Sequence, residues 1–416
     1  MTQKNLTALS LFSGIGGFCE GVKLAGFQII GAVEKDKYAA ENYRLNFPQV
    51  PLFEGDISDF LSSVDKKVWE DEFRTYVNVN ELDLLFGGPP CQGYSQIGPR
   101  DPADPRNELY LEMFRLASVL RPKFILMENV PNMLLMKNGM FKARIIKALQ
   151  DIGYDNVAIC LLRAEHYGIP QARKRVFILA TKFSTFPSDL QAFFEMAAES
   201  FKVSGITVDQ ALSDLPKLVA PSSGIALEYP EGQFLSSFQQ EMRLDCNGVI
   251  YNQNLKLSHY NSLYQEVKLH NHHTKEIQER RLNLIKLLKP GKKADSLPKE
   301  IWNKSRPEKW RRLDGDQPAH TLLAQMHRDL SEWVHPHHHR WITVREALRL
   351  QSFHDGFVLK TSEWQQLKQV GNAVPPLLAK VPALVTKLAL DSQHKDSTWT
   401  QFPTQLSLFT PTASIR

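Results

Sequence analysis

The amino-acid sequence predicts an α/β fold, a doubly wound parallel sheet joined to a second, smaller domain. From Leu6 to about residue 182, short apolar runs alternate with amphipathic helical stretches, which is typical of a parallel sheet wrapped by helices. From about 183 to 316 the periodicity loosens and the connections become longer and more polar. The chain has 416 residues, more than a single hydrophobic core usually serves, so two domains are expected.

The elements of the sheet are predicted from apolar runs of strand length and from helical periodicity between them. The predicted strands are Ala8–Phe12, Phe27–Val33, Leu52–Gly55, Leu82–Phe86, Phe124–Met127, Val157–Leu162 and Val176–Thr181. The predicted helices include Lys37–Asn46, Glu108–Leu120, Lys142–Ile152, Val344–Leu350 and a last one after Pro375. In such sheets ligands bind beyond the carboxyl ends of the strands, so the residues that follow each strand are the candidates for a site.

The domain boundaries follow from these patterns. We expect 1–182 and 354–391 to form one discontinuous sheet domain and 183–353 to form the smaller domain. Residues 392–416 turn to Ser, Thr, Gln and Pro, which predicts a flexible tail.

A basic segment lies in the smaller domain. Asn271–Arg312 holds thirteen Lys or Arg against five acids, although the whole chain carries a net charge of only +5. Such clustering is the electrostatic footprint of a surface that faces phosphates. A solvated helix face with linker lysines remains the alternative interpretation.

Composition excludes several classes of protein. Hydrophobic residues make up 43% and charged residues 23% of the chain, the values of an ordinary globular protein, and we expect neither a membrane span nor a signal peptide. A cytoplasmic location is therefore expected. The four cysteines have no CxxC spacing, which argues against a disulfide framework or a zinc site. Adjacent histidines at His335–His339 cannot all converge on one ion, so no metal is expected there either.

Three strand ends carry the residue types of a nucleoside-cofactor site. The first predicted strand runs into the glycine-rich turn Phe12–Gly17, which would let the backbone approach a ligand at a helix N-terminus. Glu34 follows the second strand and suits ribose hydroxyls, and Asp56 follows the third and suits an adenine amino group. A tight turn and ordinary helix caps are the alternatives for each feature taken alone.

A cysteine and an acid follow two further strands. Cys91 stands after Gly88-Pro89-Pro90 and before a stretch with several glycines, as expected of a positioned nucleophile rather than a buried packing thiol. Glu128 ends the fifth predicted strand. The sequence therefore predicts a thiol and a carboxyl group in one pocket.

These segments resemble the conserved blocks of the cytosine-5 DNA methyltransferases, in the family's order. The matching blocks are Phe12–Gly17, Gly88–Gln92, Met127–Val130, Gln171–Val176, Thr343–Phe353 and Gly371–Pro375. The resemblance spans residues 9 to about 385, with a gap at 182–316 where the family keeps its variable target-recognition region. It implies a Rossmann-like S-adenosylmethionine (SAM)-dependent catalytic domain with a target-recognition domain, and it implies no metal.

The resemblance implies a role for each matching residue. Cys91 would add to C6 of a cytosine swung out of duplex DNA, Glu128 would bond to N3, and Arg173 and Arg175 would donate to the base carbonyl, to Glu128 or to a phosphate. An ion-pair role is the structural alternative for Arg175. The loop Gly93–Arg106 would close over the base. The implied SAM contacts are Phe12, Ser13, Gly14, Ile15, Gly16, Gly17, Glu34, Asp56, Ile57, Pro90, Leu109, Asn372, Ala373 and Val374.

The expected partner is double-stranded DNA, acted on by a monomer associated with the bacterial nucleoid as part of a restriction-modification system. A tRNA cytosine-5 methyltransferase of the same fold and a non-catalytic DNA-binding relative are the alternatives. In the tail, Gln405–Phe409 resembles the peptide by which bacterial proteins bind the sliding clamp. Packing of those apolar residues on their own domain is the other interpretation.

Overall fold

The computed structural model describes most of the chain. The described residues are 5–65, 82–90, 108–135, 139–183, 189–218, 229–230, 235–244, 269–302, 310–324 and 333–392. Four predictions lie outside them: the nucleophile Cys91, the closing loop Gly93–Arg106, the clamp-binding peptide Gln405–Phe409 and, beyond residue 392, the flexible tail.

Strands and helices alternate through the first half of the chain, as predicted. In chain order the elements are β1 (Leu6–Leu11), α1 (Gly17–Leu24), β2 (Phe27–Glu34), α2 (Lys37–Asn46), β3 (Leu52–Glu54), α3 (Ile57–Asp65), β4 (Leu84–Gly87), α4 (Leu109–Leu120), β5 (Phe124–Asn129), α5 (Asn132–Leu135), α6 (Met140–Asp151), β6 (Asn156–Arg163), β7 (Gln171–Ala172), β8 (Lys174–Thr181), α7 (Leu190–Ser200), α8 (Val208–Leu212), α9 (Ser237–Leu244), α10 (Glu279–Leu287), β9 (Arg311–Arg312), β10 (Ala319–His320), β11 (Trp333–Val334), α11 (Val344–Leu350), α12 (Glu363–Asn372) and α13 (Pro376–Ser392).

Seven strands form the central sheet in the order β3-β2-β1-β4-β5-β8-β6. The pairs from β3 to β5 are parallel, which confirms the doubly wound α/β fold. The sheet is not parallel throughout, however, because β8 runs antiparallel to both β5 and β6. A parallel neighbour of β6 would need a long crossover, usually a helix, and the short connection 164–173 leaves no room for one.

Apolar residues cover both faces of this sheet. Leu9, Leu85 and Ile125 belong to a buried cluster that also takes residues from α3, α4 and α6. Since successive strand residues point to opposite faces, their neighbours, such as Phe86 and Phe124, are buried on the other side. There α1 packs on α13 and α7 packs on β6. Each fully buried large apolar side chain stabilises the fold by about 1.5–3 kcal/mol.

Two compact units make up the chain. Unit 1 consists of Met1–Tyr167, Lys174–Val203 and Val374–Arg416, and unit 2 consists of Gly168–Arg173 and Ser204–Ala373. Unit 1 contains the sheet and is discontinuous in sequence, with α13 returning to pack on α1.

Besides residues 168–173, which were predicted in the sheet domain and fall in unit 2, the units differ from the predicted boundaries in two longer stretches. Residues 183–203 fall in unit 1, where Gln191 on α7 accepts a hydrogen bond from the Ile159 amide of β6 at 2.7 Å. Residues 354–373 fall in unit 2, where Asn271 accepts a hydrogen bond from the Leu359 amide at 3.1 Å. Both stretches are therefore anchored by hydrogen bonds to distant parts of their own unit.

Unit 2 contains a small apolar core and a group of buried charges. Ile285, Leu288, Ala294, Leu297, Trp310 and Val334 form the core, with Trp302 and Trp341 packed against it. In the buried group, which we call the Arg349 network, the guanidinium of Arg349 contacts the carboxylates of Asp214 and Asp355 at 2.7 Å each. Arg243 contacts Asp214 from the other side, also at 2.7 Å.

The consecutive helices α12 and α13 make Glu363–Ser392 long and apolar enough to cross a membrane, judged by length and composition alone. However, 89% of the most apolar stretch is buried inside the protein, as expected of a core helix.

Candidate active site

The carboxyl ends of β1, β2, β4 and β5 lie side by side at one edge of the sheet. The strands are adjacent in the sheet order, and the last paired residues include Leu11 with Gly87 and Gly87 with Met127. The residues that follow these strands therefore lie along a single edge. It is here that the sequence predicts the cofactor turn, the ribose acid and the catalytic acid.

The turn after β1 leaves backbone atoms accessible. Phe12, Gly14 and Gly16 all have positive φ, of 53°, 56° and 99°. At Gly16, which precedes α1, an added Cβ would lie 2.2 Å from Cε2 of Phe47, so no other residue fits. At Gly14 no described atom lies within 4 Å of such a Cβ, which leaves open space over the turn. Ser13 fixes the turn to β2, because its amide donates to the Val33 carbonyl at 3.1 Å.

Glu34 joins the turn to the end of β2. Its carboxylate accepts a hydrogen bond from the Gly14 amide at 2.7 Å and one from the Asp36 amide at 2.7 Å. Burial raises the pKa of Glu34, and the two amide hydrogen bonds only partly offset that effect. The predicted ribose acid is thus held against the glycine-rich turn by the backbone itself.

The remaining predicted cofactor residues of unit 1 lie at helix starts and strand ends. Asp56, before α3, forms an ion pair with Lys35 at 2.7 Å, which lowers the pKa of its carboxyl group, and its other oxygen accepts from the Ser58 amide. Ile57 is buried, whereas Pro90 and Leu109 are half-buried. Both carboxylate oxygens of Asp56, which were predicted to accept from the amino group of an adenine, therefore already have partners within the protein, Lys35 and the Ser58 amide.

Glu128 is fixed at the end of β5. Its Oε1 lies 2.8 Å from Nε of Arg175 on β8, and both side chains are largely buried. A Cβ added to Gly88, just after β4, would lie 2.9 Å from Oε2 of Glu128. The carboxylate therefore lies directly against the backbone of the Gly88-Pro89-Pro90 segment, which leads into Cys91.

Asn129 also holds the Gly88-Pro89-Pro90 segment in place. Its Nδ2 donates to the Pro89 carbonyl at 3.0 Å, while its Oδ1 accepts from the Val130 amide at 2.8 Å. Asn129 belongs to the matching block Met127–Val130, but no role was predicted for it. The signal that could have identified it is an amide side chain directly after the predicted catalytic acid, at the end of a predicted strand.

The two predicted arginines take different positions. Arg175 contacts Glu128 in unit 1, which is one of the contacts that the resemblance implies for it and which also fits the alternative of a structural ion pair. Arg173 is buried in unit 2, where its guanidinium donates to the carbonyls of Leu322 at 2.9 Å, Gly371 at 3.1 Å and Ala373 at 3.0 Å. Donation by Arg173 to a bound base stays a prediction.

The last predicted cofactor block straddles the two units. Asn372 is exposed and ends α12 in unit 2, Ala373 follows it, and Val374 is the first residue of the returning part of unit 1. Their contact with a cofactor stays a prediction.

Several histidines have contacts within the protein. His335 accepts hydrogen bonds at Nδ1 from the amides of His337 and His338, and Nε2 of His337 contacts Asp209 at 2.7 Å. His272 bonds to Thr343 and to the Pro216 carbonyl, each at 2.9 Å. Among the described residues no group of three or more His, Cys, Asp or Glu side chains is arranged to hold a metal ion.

The chain is similar to known proteins over most of its length. The chain is 32% identical to type II methyltransferase M.DdeI of Desulfomicrobium norvegicum, covering 91% of this chain and 88% of that one, and 31% identical to type II methyltransferase M.AgeI of Thalassovita gelatinovora, covering 92% and 100%. A solved structure of an E. coli prophage protein assigned as a DNA modification methyltransferase superposes with a TM-score of 0.70 at 26% identity, over 93% of this chain and 99% of that one. The model of one family, described as C-5 cytosine-specific DNA methylase, matches residues 6–386. The chain therefore belongs to the C-5 cytosine-specific DNA methylase family, whose members transfer methyl groups from SAM to cytosine.

Proposed function

We propose that the protein methylates C5 of a cytosine within a specific duplex DNA sequence, by flipping the base out of the helix and attacking it with Cys91. The observation that carries the proposal is the position of Glu128. Its carboxylate is held by Arg175 and lies against Gly88, three residues before Cys91 in the chain. An acid and a nucleophile are thereby assigned to neighbouring strand ends, as the reaction requires.

The edge beside this acid suits SAM. The open space over Gly14 admits a ligand against the backbone, and the fixed carboxylate of Glu34 offers acceptors for ribose hydroxyls. We assign the Phe12–Gly17 turn and Glu34 to cofactor binding, with Asp56, Ile57, Pro90, Leu109, Asn372, Ala373 and Val374 as further contacts. When bound, SAM supplies an electrophilic methyl group.

The protein's own groups account for the rest of the chemistry. The Cys91 thiolate forms a bond to C6, and the electron pair displaced from the C5–C6 double bond makes C5 nucleophilic. Glu128, protonated when the base is bound, donates a hydrogen bond to N3 and relieves the negative charge that builds on the ring, and Arg175 keeps the carboxyl group in place. After C5 has gained the methyl group, a base removes the C5 proton, the double bond re-forms and the sulfur leaves.

The reaction needs the target base outside the duplex. Extrusion costs roughly a few kcal/mol of stacking and pairing, which contacts to the flipped base and the displaced strand must offset. The similarity to two type II methyltransferases supports duplex DNA as the substrate and a bacterial restriction-modification system as the setting.

A mechanism-based trap tests the covalent step. We expect a duplex that carries 5-fluorocytosine at the target to form an SDS-stable adduct with the protein in the presence of SAM, because fluorine at C5 cannot leave as a cation. Cys91→Ser should form none.

Two buried thiols elsewhere in the chain provide the control. Burial raises the pKa of Cys19 to about 11 and that of Cys160 to about 12, so neither is a thiolate near neutral pH. Cys160→Ser should therefore form the adduct like the parent chain. An adduct with Cys91→Ser would show that Cys91 is not the nucleophile.

The substrate class is tested separately. Tritium transferred from SAM to tRNA but not to plasmid DNA would show that the substrate is RNA.

A further inference from the structure

The protein holds the glycine-rich turn after β1 at two places. The Gly14 amide donates to Oε2 of Glu34 at 2.7 Å, and no described atom lies within 4 Å of a Cβ added to Gly14. A Cβ added to Gly16 would instead meet the ring of Phe47, with Cε2, Cζ and Cδ2 at 2.2, 2.9 and 3.0 Å. The two glycines therefore differ in use: Gly14 leaves room for a ligand, whereas Gly16 lets a ring of the protein support the turn.

Phe47 is itself fixed at the C-terminal end of α2. Its ring is 5% exposed and stacks on that of Tyr43, with the ring centres 4.7 Å apart and the planes inclined by 24°. Tyr43 is fully buried, and its hydroxyl donates to Sγ of Cys19 on α1 at 3.4 Å. The Phe47 amide also donates to the Tyr43 carbonyl at 2.8 Å. The ring that supports Gly16 therefore has little freedom to move.

The other end of α2 holds Glu34. Oε1 of Glu34 accepts a hydrogen bond from the Asp36 amide at 2.7 Å. Asp36 is the N-cap of α2, and its carboxylate accepts from two amides of the first turn at 2.9 and 3.2 Å. Since α2 has ten residues and is about 15 Å long, one helix connects the contact at Gly14 with the contact at Gly16.

We propose that Asp36 and Phe47, the two caps of α2, are positioning residues that set the affinity for SAM through the turn. This inference rests on the cofactor site proposed above. Because Phe47 is buried, it acts through Gly16 rather than by contact with the ligand. Binding costs less when a site already has the shape of its complex, and the caps of α2 keep the turn and Glu34 in that shape.

Equilibrium binding of S-adenosylhomocysteine (SAH), which is SAM without its transferable methyl group, tests the proposal in the absence of turnover. Phe47→Leu removes the flat ring and should raise the dissociation constant for SAH roughly tenfold, measured by isothermal titration calorimetry. Asp36→Ala removes the side-chain cap and should raise it about fivefold. In steady-state kinetics the KM for SAM should rise in both variants, whereas kcat at saturating SAM should stay within about twofold of the parent chain.

Helix α7 provides matched controls. It also lies in unit 1 and has an Asp N-cap and a buried Phe C-cap, but it packs on β6, at the edge of the sheet away from β1 and β2. Phe201 is 2% exposed, and Asp189 accepts from the Ala192 amide at 2.7 Å. Phe201→Leu and Asp189→Ala should lower the urea midpoint of unfolding as their α2 counterparts do, but should leave the dissociation constant for SAH unchanged.

Two results would overturn the inference. The first is that Phe47→Leu and Asp36→Ala bind SAH like the parent chain. The second is an equal loss of affinity in the α7 variants, which would mean that any weakened helix of unit 1 impairs binding. If Phe47→Leu does not fold, the comparison of Asp36→Ala with Asp189→Ala decides.

Failure of the proposed function would be recognised separately. If the parent chain methylates cytosine at C5 while the α2 variants bind SAH normally, only the inference about α2 is wrong. If the parent chain binds SAH and the α2 variants lose affinity, but no methyl group is transferred to DNA, only the proposed function is wrong.

Discussion

Asn129 fixes the path of the backbone after β4. The Pro89 carbonyl accepts its amide hydrogen at 3.0 Å, and two prolines then leave the backbone little freedom before Cys91. Asn129 is itself buried and braced by the Val130 amide at 2.8 Å. We therefore regard it as a positioning residue that acts on the proposed nucleophile, Cys91, through the Pro89-Pro90 segment.

Asn129→Asp should lower kcat by roughly 10- to 100-fold, because a carboxylate cannot donate to the Pro89 carbonyl and small displacements of reacting groups are costly. The KM for DNA should change little, and steady-state kinetics with a tritiated methyl donor would measure both.

Asn156→Asp is the control for that prediction. The amide of Asn156 also donates to a backbone carbonyl, that of Phe183, but Asn156 begins β6, at the edge strand of the sheet. It should leave kcat unchanged. A loss of similar size in both variants would mean that Asn129 only stabilises the fold.

At the scale of elements, the Arg349 network joins α11 to the chain after α8 and to Asp355. Arg349 is completely buried, and its guanidinium also donates to the Ala211 carbonyl at 2.8 Å. Burial by itself would raise the pKa of Asp355, but Arg349 outweighs that effect and holds it below its ordinary value. Removing one member of such a buried ion-pair network leaves the other charges buried without a partner, which destabilises the fold.

Arg349→Met should destabilise unit 2 by about 3–5 kcal/mol, because two buried carboxylates lose their shared partner. Urea denaturation followed by tryptophan fluorescence measures the change. Arg115→Met serves as the control, since Arg115 is 67% exposed in its ion pair with Glu112 and should contribute less than about 1 kcal/mol. Equal shifts in the two variants would contradict this account.

His335, in the loop before α11, makes the stability of the fold depend on pH. Burial lowers the pKa of His335 to about 3, while Glu346 opposes that shift and Arg340, His338 and His337 reinforce it. The unfolded chain therefore binds a proton at His335 at a higher pH than the folded chain does. Stability falls as the pH drops below about 6.5, the ordinary histidine value.

We expect His335→Asn, which keeps an acceptor for the two amides, to flatten the fall in unfolding free energy between about pH 6.5 and 5. The contribution removed is at most about 1.4 kcal/mol per pH unit. Urea titrations at several pH values would measure it, and an unchanged slope would show that other groups carry the dependence.

For the whole molecule, the sequence predicted the sheet better than it predicted how distant segments meet. All seven predicted strands are present in the sheet, because long apolar runs bounded by turns are a strong signal. The two-residue strands β7, β9, β10 and β11 are too short to show any periodicity. Glu34 and Glu128 could be predicted to lie at one edge because parallel strands end together.

Arg173 and Arg175 show why the rest could not be predicted. Two positions apart on one strand, they would point to the same face. In the structure the strand is interrupted between Ala172 and Lys174, and the residues belong to different units. Arg173 meets carbonyls 149 to 200 positions later in the chain, which local sequence cannot reveal.

The return of α13 to α1 has a consequence for how the protein is made. Gly21 of α1 approaches the backbone of α13 so closely that an added Cβ would lie 2.4 Å from the Pro376 carbonyl oxygen. That interface cannot form until the ribosome has passed Ser392, although the other segments of unit 1 end at Val203. At about 5–20 residues per second the interval is roughly 10 to 40 seconds. During it the apolar surface that α13 covers stays exposed to solvent, which favours aggregation.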